Sequence, residues 1–289
     1  MNGVNKMTFH ISDQTTLGKV VLKVEDLGKM TDFYINVIGL DILDQSDQEV
    51  DLGIDADKRV LLTLRLLDQP SRKKTAPGLY HIAFLLPSRK DLGNVVKRFQ
   101  QNQHGITGAA DHGYSEAIYL YDPELNGIEI YRDKNREQWD IGENGSIEGV
   151  TDPMDFEGVY AAADPEPAHK FPSGTIVGHV HLQVSDLEHS REFLGHVLGM
   201  GLKSDFSGQA LFYAAGNYHH HIGNNIWSTK GTETADPDAP GLDYFEIIVP
   251  QLGDIKNHLD DISYDFQELS SEEIVLSHPD GIQVHILQR

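Results

Sequence analysis

The amino-acid sequence predicts an α+β fold made of four repeated units, each with one strand, one helix and several further strands. Two pairs of internal repeats carry this prediction. Residues 18–40 align without a gap with residues 178–200, and residues 78–87 align with residues 241–250. Self-similarity of this kind indicates a repeated structural unit, so we expect four modules of the order βαβββ.

In the first and third units, a strand with alternating side chains leads directly into a helix. Asp26 and Asp186 stand where the helix would begin, and a carboxylate there can accept a hydrogen bond from a backbone N–H group of the first turn. The side chains that follow recur at the 3.6-residue spacing of a helix, which predicts one packed face. This face comprises Leu27, Met30, Phe33 and Val37 in the first unit, and Leu187, Ser190, Phe193 and Val197 in the third.

The second and fourth units repeat the same order of elements. Their opening strands, residues 78–87 and 241–250, precede predicted helices around residues 92–99 and 252–262. Each unit closes on a turn that leads into a last strand, because Pro and Gly precede alternating side chains. The closing segments are DPELNGIEIY (residues 122–131) and HPDGIQVHIL (residues 278–287).

A segment with little periodicity separates the two halves of the chain. Residues 132–175 are rich in Asp, Glu, Gly, Ala and Pro, which predicts a partly ordered linker. We therefore divide the chain into an N-terminal pair of modules (1–131), this linker, and a C-terminal pair (176–289). The four modules are expected at about residues 16–68, 78–131, 176–229 and 241–289.

Composition excludes several classes of function. The net charge of −22 would repel nucleic acid and an anionic membrane surface alike. The absence of Cys excludes disulfides, a thiolate nucleophile and a zinc–cysteine cluster. Any bound metal must therefore be held by His and carboxylate side chains, which suit Fe(II), Mn, Ni or Zn.

The N-terminal residues form neither a basic start nor an apolar signal region, and no apolar run approaches the roughly 18 residues of a membrane span. We expect a soluble cytoplasmic protein. The sequence leaves the oligomeric state open, and a homo-oligomer is one possibility.

The repeated segments resemble those of a known superfamily. The openings GHVHLQVSDL and FLGHVLGMGL and the closing DPELNGIEIY are similar to the vicinal oxygen chelate superfamily, which includes glyoxalase I, fosfomycin and bleomycin resistance proteins and type I extradiol dioxygenases. Within it, IVGHVHL, YHHHIGNNIW, GLDYFEIIVP and GLYHIAFLLP resemble the catechol 2,3-dioxygenases of Gram-positive bacteria. The resemblance implies that pairs of modules form two incompletely closed, cup-shaped barrels, with metal ligands on the first and last strands of each module.

These ligand positions can be compared among the modules. Pairing consecutive modules leaves each half without a complete ligand set, whereas pairing the second with the third brings together His81, Glu129 and His179. Two imidazoles and one carboxylate form the facial triad that holds non-haem Fe(II) with open positions. We expect one metal there, Fe(II) or alternatively Mn, Ni or Zn, and none in the other barrel. The first-strand positions hold Lys19, His81, His179 and Tyr244, and the aligned last-strand positions hold Glu129, Asn225 and Gln283.

Three consecutive histidines, His219 to His221, fall in what the pattern predicts to be a strand. Alternation would direct His221 and His219 into the cavity and His220 toward the packed layer, unless a bulge at Gly223 shifts the phase by one. We therefore expect His221 to be the catalytic acid/base and His219 its partner. His181 shares the face of His179, and a structural role is expected for it. Substrate contacts are expected from Asn225, Tyr119, Tyr121 and His112.

The function implied is an extradiol ring-cleaving dioxygenase of aromatic hydrocarbon catabolism, with a small aromatic diol and O₂ as substrates. A cavity histidine would take a proton from the diol and later return it. One alternative is a glyoxalase-like isomerase or lyase with Zn or Ni, which commonly has a second carboxylate as fourth ligand, and Asn225 is a poor substitute for it. The other is a metal-free small-molecule binding protein with an aromatic-lined cup, for which four modules are less natural than two.

Overall fold

A computed structural model describes residues 9–71, 74–234 and 236–289. The first eight residues and part of the predicted connection after the first module lie outside the described residues. Each of the four repeats is a βαβββ unit, as predicted. The first module comprises β1 (Thr16–Val24), α1 (Leu27–Phe33), β2 (Asp41–Gln45), β3 (Glu49–Ile54) and β4 (Arg59–Leu66). The second comprises β5 (Gly78–Leu85), α2 (Arg89–Gln101), β6 (Gly108–Asp111), β7 (Ser115–Tyr121) and β8 (Gly127–Asp133).

The second half of the chain repeats this order after a short helix, α3 (Phe156–Ala161). The third module comprises β9 (Ile176–Gln183), α4 (Leu187–Ser190), β10 (Gly201–Phe206), β11 (Ala210–Ala214) and β12 (Ile222–Asn225). The fourth comprises β13 (Gly241–Val249), α5 (Leu252–Ile262), β14 (Gln267–Ser270), β15 (Glu273–Ser277) and β16 (Gln283–Gln288). Among the described residues, no helix combines the length and the apolar character that a bilayer span requires.

The two predicted capping residues begin their helices. The Asp26 carboxylate accepts a hydrogen bond from the backbone N–H of Lys29, and that of Asp186 accepts one from Glu188. The packed face of the first helix differs from the prediction, because α1 widens into a π-helical turn over Tyr34–Ile38. A wider turn separates side chains on one face by more than 3.6 residues. The helix consequently buries Tyr34 and Ile38 where Phe33 and Val37 were expected.

Two eight-stranded mixed sheets hold the modules together. In every module the first strand pairs in parallel with the last. Between modules, β5 pairs antiparallel with β9, and β1 pairs antiparallel with β13. The second module is thus joined to the third and the first to the fourth, which is the pairing that the ligand comparison favoured. We call the resulting sheets the 2–3 sheet and the 1–4 sheet.

Strand alternation divides the 2–3 sheet into a core side and a cavity side. Ile82 and Phe84 on β5 are fully buried in the main apolar core, while His81 and Ala83 point to the other face. On β9, Val180 and Leu182 likewise join the core and alternate with His179 and His181. The core therefore supports the sheet from one side and leaves a row of histidines on the other.

The segment predicted to be a linker is ordered and packs on the rest of the chain. Met154, Val159 and Phe171 are buried in the main core, and Ile147 is also buried. Asp152 forms an antiparallel bridge with Asp111 at the edge of the 2–3 sheet. The segment thus becomes part of the wall above that sheet, although its sequence carries no periodic signal.

Candidate active site

Three side chains meet around Ala83 on the cavity side of the 2–3 sheet. In the parallel pairing of β5 with β8, Glu129 lies opposite Ala83, and in the antiparallel pairing of β5 with β9, His179 lies opposite the same residue. His81 is two residues before Ala83 and therefore shares its face. A small side chain at Ala83 leaves the space above it to its three larger neighbours.

The reactive atoms of these three residues converge on one point. Glu129 Oε2 lies 3.1 Å from His81 Nε2 and 3.2 Å from His179 Nε2. The two ring nitrogens are 3.2 Å apart. All three residues are buried. Two imidazole nitrogens and a carboxylate oxygen within this distance of one another form a donor set suited to a first-row transition metal, so the triad could hold such an ion.

The electrostatics of the triad favour the forms that bind a metal. Burial opposes ionisation of Glu129, but the neighbouring His179 and His81 outweigh it and hold the pKa of this carboxyl well below its usual range. Burial lowers the pKa of His179 to about 4, so its ring is neutral at neutral pH. A carboxylate and a neutral imidazole each have a free lone pair for a metal ion.

The fourth ligand position holds a glycine, so the prediction that Asn225 occupies it is wrong. Glu129 pairs with Ala83, which is two residues after His81. In the third module, the residue two places after His179 is His181, and its partner on the last strand is Gly223. Asn225 lies two residues further on, where its amide donates to the Leu182 carbonyl over 3.3 Å and accepts from the Trp227 N–H over 3.1 Å. It is fully buried and does not line the cavity. Gly127 and Gly223 stand in similar sequence contexts but occupy different positions along their strands, since Gly127 pairs with His81 and Gly223 with His181.

The alternation predicted for the three histidines does not hold, because strand β12 begins only at Ile222. The histidines precede it in an irregular turn. His219 and His220 line the cavity, whereas His221 does not. The His221 ring is buried and its Nδ1 accepts a hydrogen bond from the Ala215 N–H over 3.2 Å. Burial also lowers the pKa of His221 to about 3.

His220 lies beside the triad and is held by a chain of hydrogen bonds. Its ring centroid is 4.2 Å from that of His179. His220 Nδ1 lies 2.8 Å from His219 Nδ1, and His219 Nε2 lies 3.0 Å from a carboxylate oxygen of Asp133. Sequence reasoning missed Asp133, which stands at the end of β8 and was assigned to the linker. Its position four residues after Glu129 on the same strand was the available signal.

The other predicted substrate contacts do line the cavity. The Tyr119 hydroxyl lies 2.6 Å from His112 Nε2, and His112 Nδ1 lies 2.8 Å from the Val150 carbonyl. Since a carbonyl only accepts, His112 Nδ1 carries the proton and Nε2 accepts from the Tyr119 O–H. Tyr121 stands at the rim of the cavity, half exposed. His181 also lines the wall, and burial lowers its pKa well below the usual value.

The cavity above the triad has a volume of about 440 Å³. Its walls include two contributions that the sequence did not predict. The segment after β8 closes one side through Ile147, Gly149, Val150 and Thr151, of which Ile147 is buried and Val150 is about half exposed. Trp227 and Tyr80 pack edge to face, with ring centroids 5.1 Å apart, on another side. The site is therefore a polar triad at the base of an aromatic and aliphatic cup.

Comparison with known proteins agrees with this architecture. Residues 16–130 match the model of the Glyoxalase/Bleomycin resistance protein/Dioxygenase superfamily. The chain is 39% identical over 267 residues to the catechol-2,3-dioxygenase of Bacillus subtilis (strain 168), an alignment that covers 89% of this chain and 92% of that protein. The chain belongs to this superfamily.

Solved structures at low sequence identity share the fold. Glyoxalase I from Zea mays superposes with a TM-score of 0.56 at 16% identity, covering 95% of this chain and 92% of that one. The cppA protein from Streptococcus pneumoniae superposes with a TM-score of 0.55 at 11% identity, covering 95% of this chain and 100% of that one. These similarities support the fold alone.

Proposed function

We propose that the protein is a metal-dependent extradiol dioxygenase that opens the ring of a catechol-type substrate with O₂. The observation that carries the proposal is the convergence of His81, Glu129 and His179 at the base of an aromatic-walled cavity. The 39% identity to a catechol-2,3-dioxygenase over most of the chain supports the same class of reaction.

His81, Glu129 and His179 would hold the metal, for which Fe(II) is our first choice and Mn, Ni and Zn are alternatives. A bound Fe(II) supplies open coordination positions for a diol and for O₂. Gly223, which stands in the fourth ligand position, has no side chain that could bind the metal. A carbon added there would approach the His181 ring to 3.0 Å, so this position is closely packed against His181. An isomerase with a second carboxylate ligand finds no such residue here.

We assign the proton transfer to His220 in place of His221. The Asp133 carboxylate accepts the Nε2 proton of His219, which leaves His219 Nδ1 as an acceptor. His220 Nδ1 therefore donates to His219 Nδ1, and the Nε2 lone pair of His220 remains to accept the proton of a substrate hydroxyl. Burial lowers the pKa of His220 well below its usual value, which keeps the ring in this neutral form.

Tyr119 and His112 would orient the diol. Because the Tyr119 hydroxyl proton is directed to His112 Nε2, its oxygen lone pairs face away from that bond and can accept from a substrate hydroxyl. Tyr121 would cover the ring from the rim. Asn225 and His221, which do not line the cavity, are left out of this assignment.

The test is O₂ uptake by Fe(II)-loaded protein in the presence of catechol, with formation of a coloured ring-opened product. His220→Gln should retain the metal and lose turnover by roughly 10²- to 10⁴-fold, the usual contribution of a general base. The matched control is the neighbouring His221→Gln, which should retain turnover because that ring is outside the cavity. Conversion of a hemithioacetal without O₂ uptake would favour the isomerase.

Asp133→Asn tests the hydrogen-bond chain itself. An Asn amide can donate to His219 Nε2 and reverse the direction of both bonds, which would leave His220 with a proton on Nε2. We expect kcat to fall by at least about tenfold with KM little changed, since a wrongly held tautomer impairs proton transfer. Nitrogen-15 NMR of the histidine rings reads the tautomer directly. An unchanged His219 tautomer together with unchanged kcat would contradict this role.

A further inference from the structure

Resting on the proposed dioxygenase function, we propose that the cavity selects an uncharged catechol with a bulky apolar substituent and rejects catechols that carry a carboxylate. Three independent properties of the cavity lead to this substrate class: its size, the apolar character of its rim, and the charges of its lining.

The cavity is larger than a single diol ring requires. Catechol has eight non-hydrogen atoms. If each takes no more than the volume of a liquid water molecule, about 30 Å³, the whole molecule occupies less than about 240 Å³. The cavity volume of about 440 Å³ leaves nearly half the space for a substituent. Catechol alone would leave this space to water or empty, so a larger ring system gains more from burial.

Part of the rim of the cavity is apolar. Trp227 and Phe206 line the cavity and are still 46% and 54% exposed, so their rings stand at its opening. Phe212 and Ile147 continue the apolar wall inward from there. Large apolar side chains that remain exposed beside a cavity mark a surface that a ligand can cover. A hydrocarbon or aryl substituent that extends from the diol would contact these side chains.

The charges of the lining oppose an anionic substituent. Among the described residues that line the cavity, no Lys or Arg is present, and Glu129 is the one acidic residue. Two basic side chains at and just after the end of β8 are paired with carboxylates, and Lys203, which precedes the lining residue Ser204, contacts the Gly145 carbonyl over 3.4 Å. Lys134 Nζ contacts both Asp111 carboxylate oxygens, and Arg132 is paired with Glu116. A substrate carboxylate held near the rim, away from the triad that binds the diol, would therefore lose hydration without gaining a Lys or Arg partner from the lining, which is unfavourable.

The experiment compares two ligands that differ in charge and by a single methyl group, whose burial contributes about 0.8 kcal/mol, less than a tenfold change in affinity. Binding of 3,4-dihydroxyphenylacetate and of its methyl ester to the metal-loaded protein is measured by calorimetry without O₂. We expect the ester to bind at least about tenfold more tightly. 2,3-Dihydroxybiphenyl should in turn bind at least about tenfold more tightly than catechol. Equal or tighter binding of the acid, or equal binding of the two unequal-sized diols, would overturn the proposal.

A variant pair tests the electrostatic argument at the wall. Val150→Arg places a guanidinium at the cavity, and it should improve binding of the acid relative to the ester by at least about tenfold. Val150→Gln changes the side chain without adding charge and should leave that ratio unchanged. If the protein opens no diol ring at all, the acid-to-ester ratio still decides this proposal, so its failure can be told apart from failure of the dioxygenase assignment.

Discussion

The 1–4 sheet repeats the architecture of the 2–3 sheet with different side chains at the same positions. Tyr244 and Lys19 stand on the first strands where the 2–3 sheet has His81 and His179. In the pairing of β13 with β16, His285 lies opposite Glu246, which is two residues after Tyr244. His285 therefore occupies the position that Glu129 has in the 2–3 sheet. The prediction that Gln283 occupies this position is wrong by two residues, because Gln283 pairs with Tyr244 itself.

The polar groups of the 1–4 sheet are engaged with separate partners. His285 Nδ1 lies 2.7 Å from a Glu273 carboxylate oxygen, and its ring stacks on Tyr244 with centroids 3.7 Å apart. Thr63 donates to Asp51 over 2.5 Å. In the 2–3 sheet, by contrast, two histidines share one carboxylate oxygen, and among the described residues His179 Nδ1 is buried without a hydrogen-bond partner. The same backbone can thus carry a candidate metal site or a set of paired side chains, so function is argued from the site and not from the fold.

The largest expected difference between the sheets is in metal content. Glu129→Ala should reduce bound metal from one ion per chain to none, because it removes the one anionic donor of the triad. The fold should persist, since this cavity carboxylate contributes little to core packing. Elemental analysis and circular dichroism measure the two properties.

The control is His285→Ala, which changes the equivalent position in the 1–4 sheet and should retain one metal per chain. Full metal occupancy in the Glu129 variant, or loss of metal in the His285 variant, would contradict the assignment of the site to the 2–3 sheet.

The second difference lies in the turns before the last strands, where Asp122 in one sheet corresponds to His278 in the other. Burial raises the pKa of Asp122 and lowers that of His278 to about 4, so both side chains are driven toward the neutral form. Below the ordinary histidine pKa of about 6.5, an unfolded chain gains a proton at His278 that the folded chain resists. Stability is therefore lost as the pH falls from about 6.5 to about 4, by up to about 3 kcal/mol.

The Asp280 N–H donates a hydrogen bond to His278 Nδ1 over 3.0 Å. In His278→Asn the amide oxygen can accept this hydrogen bond, but the side chain cannot titrate. Urea unfolding at pH 7 and pH 4 should show a smaller acid-induced loss in the variant, by about 3 kcal/mol. The other histidines are common to both proteins and cancel in this comparison. Equal losses in the two proteins would mean that His278 is protonated as readily in the folded chain as in the unfolded one.

The smallest effect is expected for an ion pair of the 1–4 sheet. Arg65 lies 3.0 Å from Glu49 and 2.5 Å from Asp243, but its side chain is 41% exposed. Because solvent screens such pairs, Arg65→Gln should change the free energy of unfolding by at most about 1 kcal/mol. Metal content should stay at the native value. A loss of several kcal/mol would show that the polar pairs of this sheet matter far more to stability than their exposure suggests.

The sequence was sufficient to predict the modules, their pairing and the convergence of His81, Glu129 and His179, because repeats keep a fixed spacing from the first strand to the helix. It was insufficient where spacing varies between modules. The irregular turn that ends at His221 determines where β12 begins. His219 lines the cavity as expected, but the directions of His220 and His221 and the position of Asn225 did not follow from alternation. Ile147 and Val150 reach the cavity through tertiary packing of a segment without periodicity, which local patterns do not encode.

The nested pairing of the modules has a consequence for the order of folding. The inner contact between His81 and His179 joins residues 98 apart in the chain, whereas the outer contact between Lys19 and Glu246 joins residues 227 apart. Closing the shorter loop costs less free energy in lost chain entropy, by somewhat less than about 1 kcal/mol. The strands of this inner pair also leave the ribosome earlier. The cup that holds the triad can therefore assemble during synthesis, while β1 retains an unpaired edge until β13 arrives.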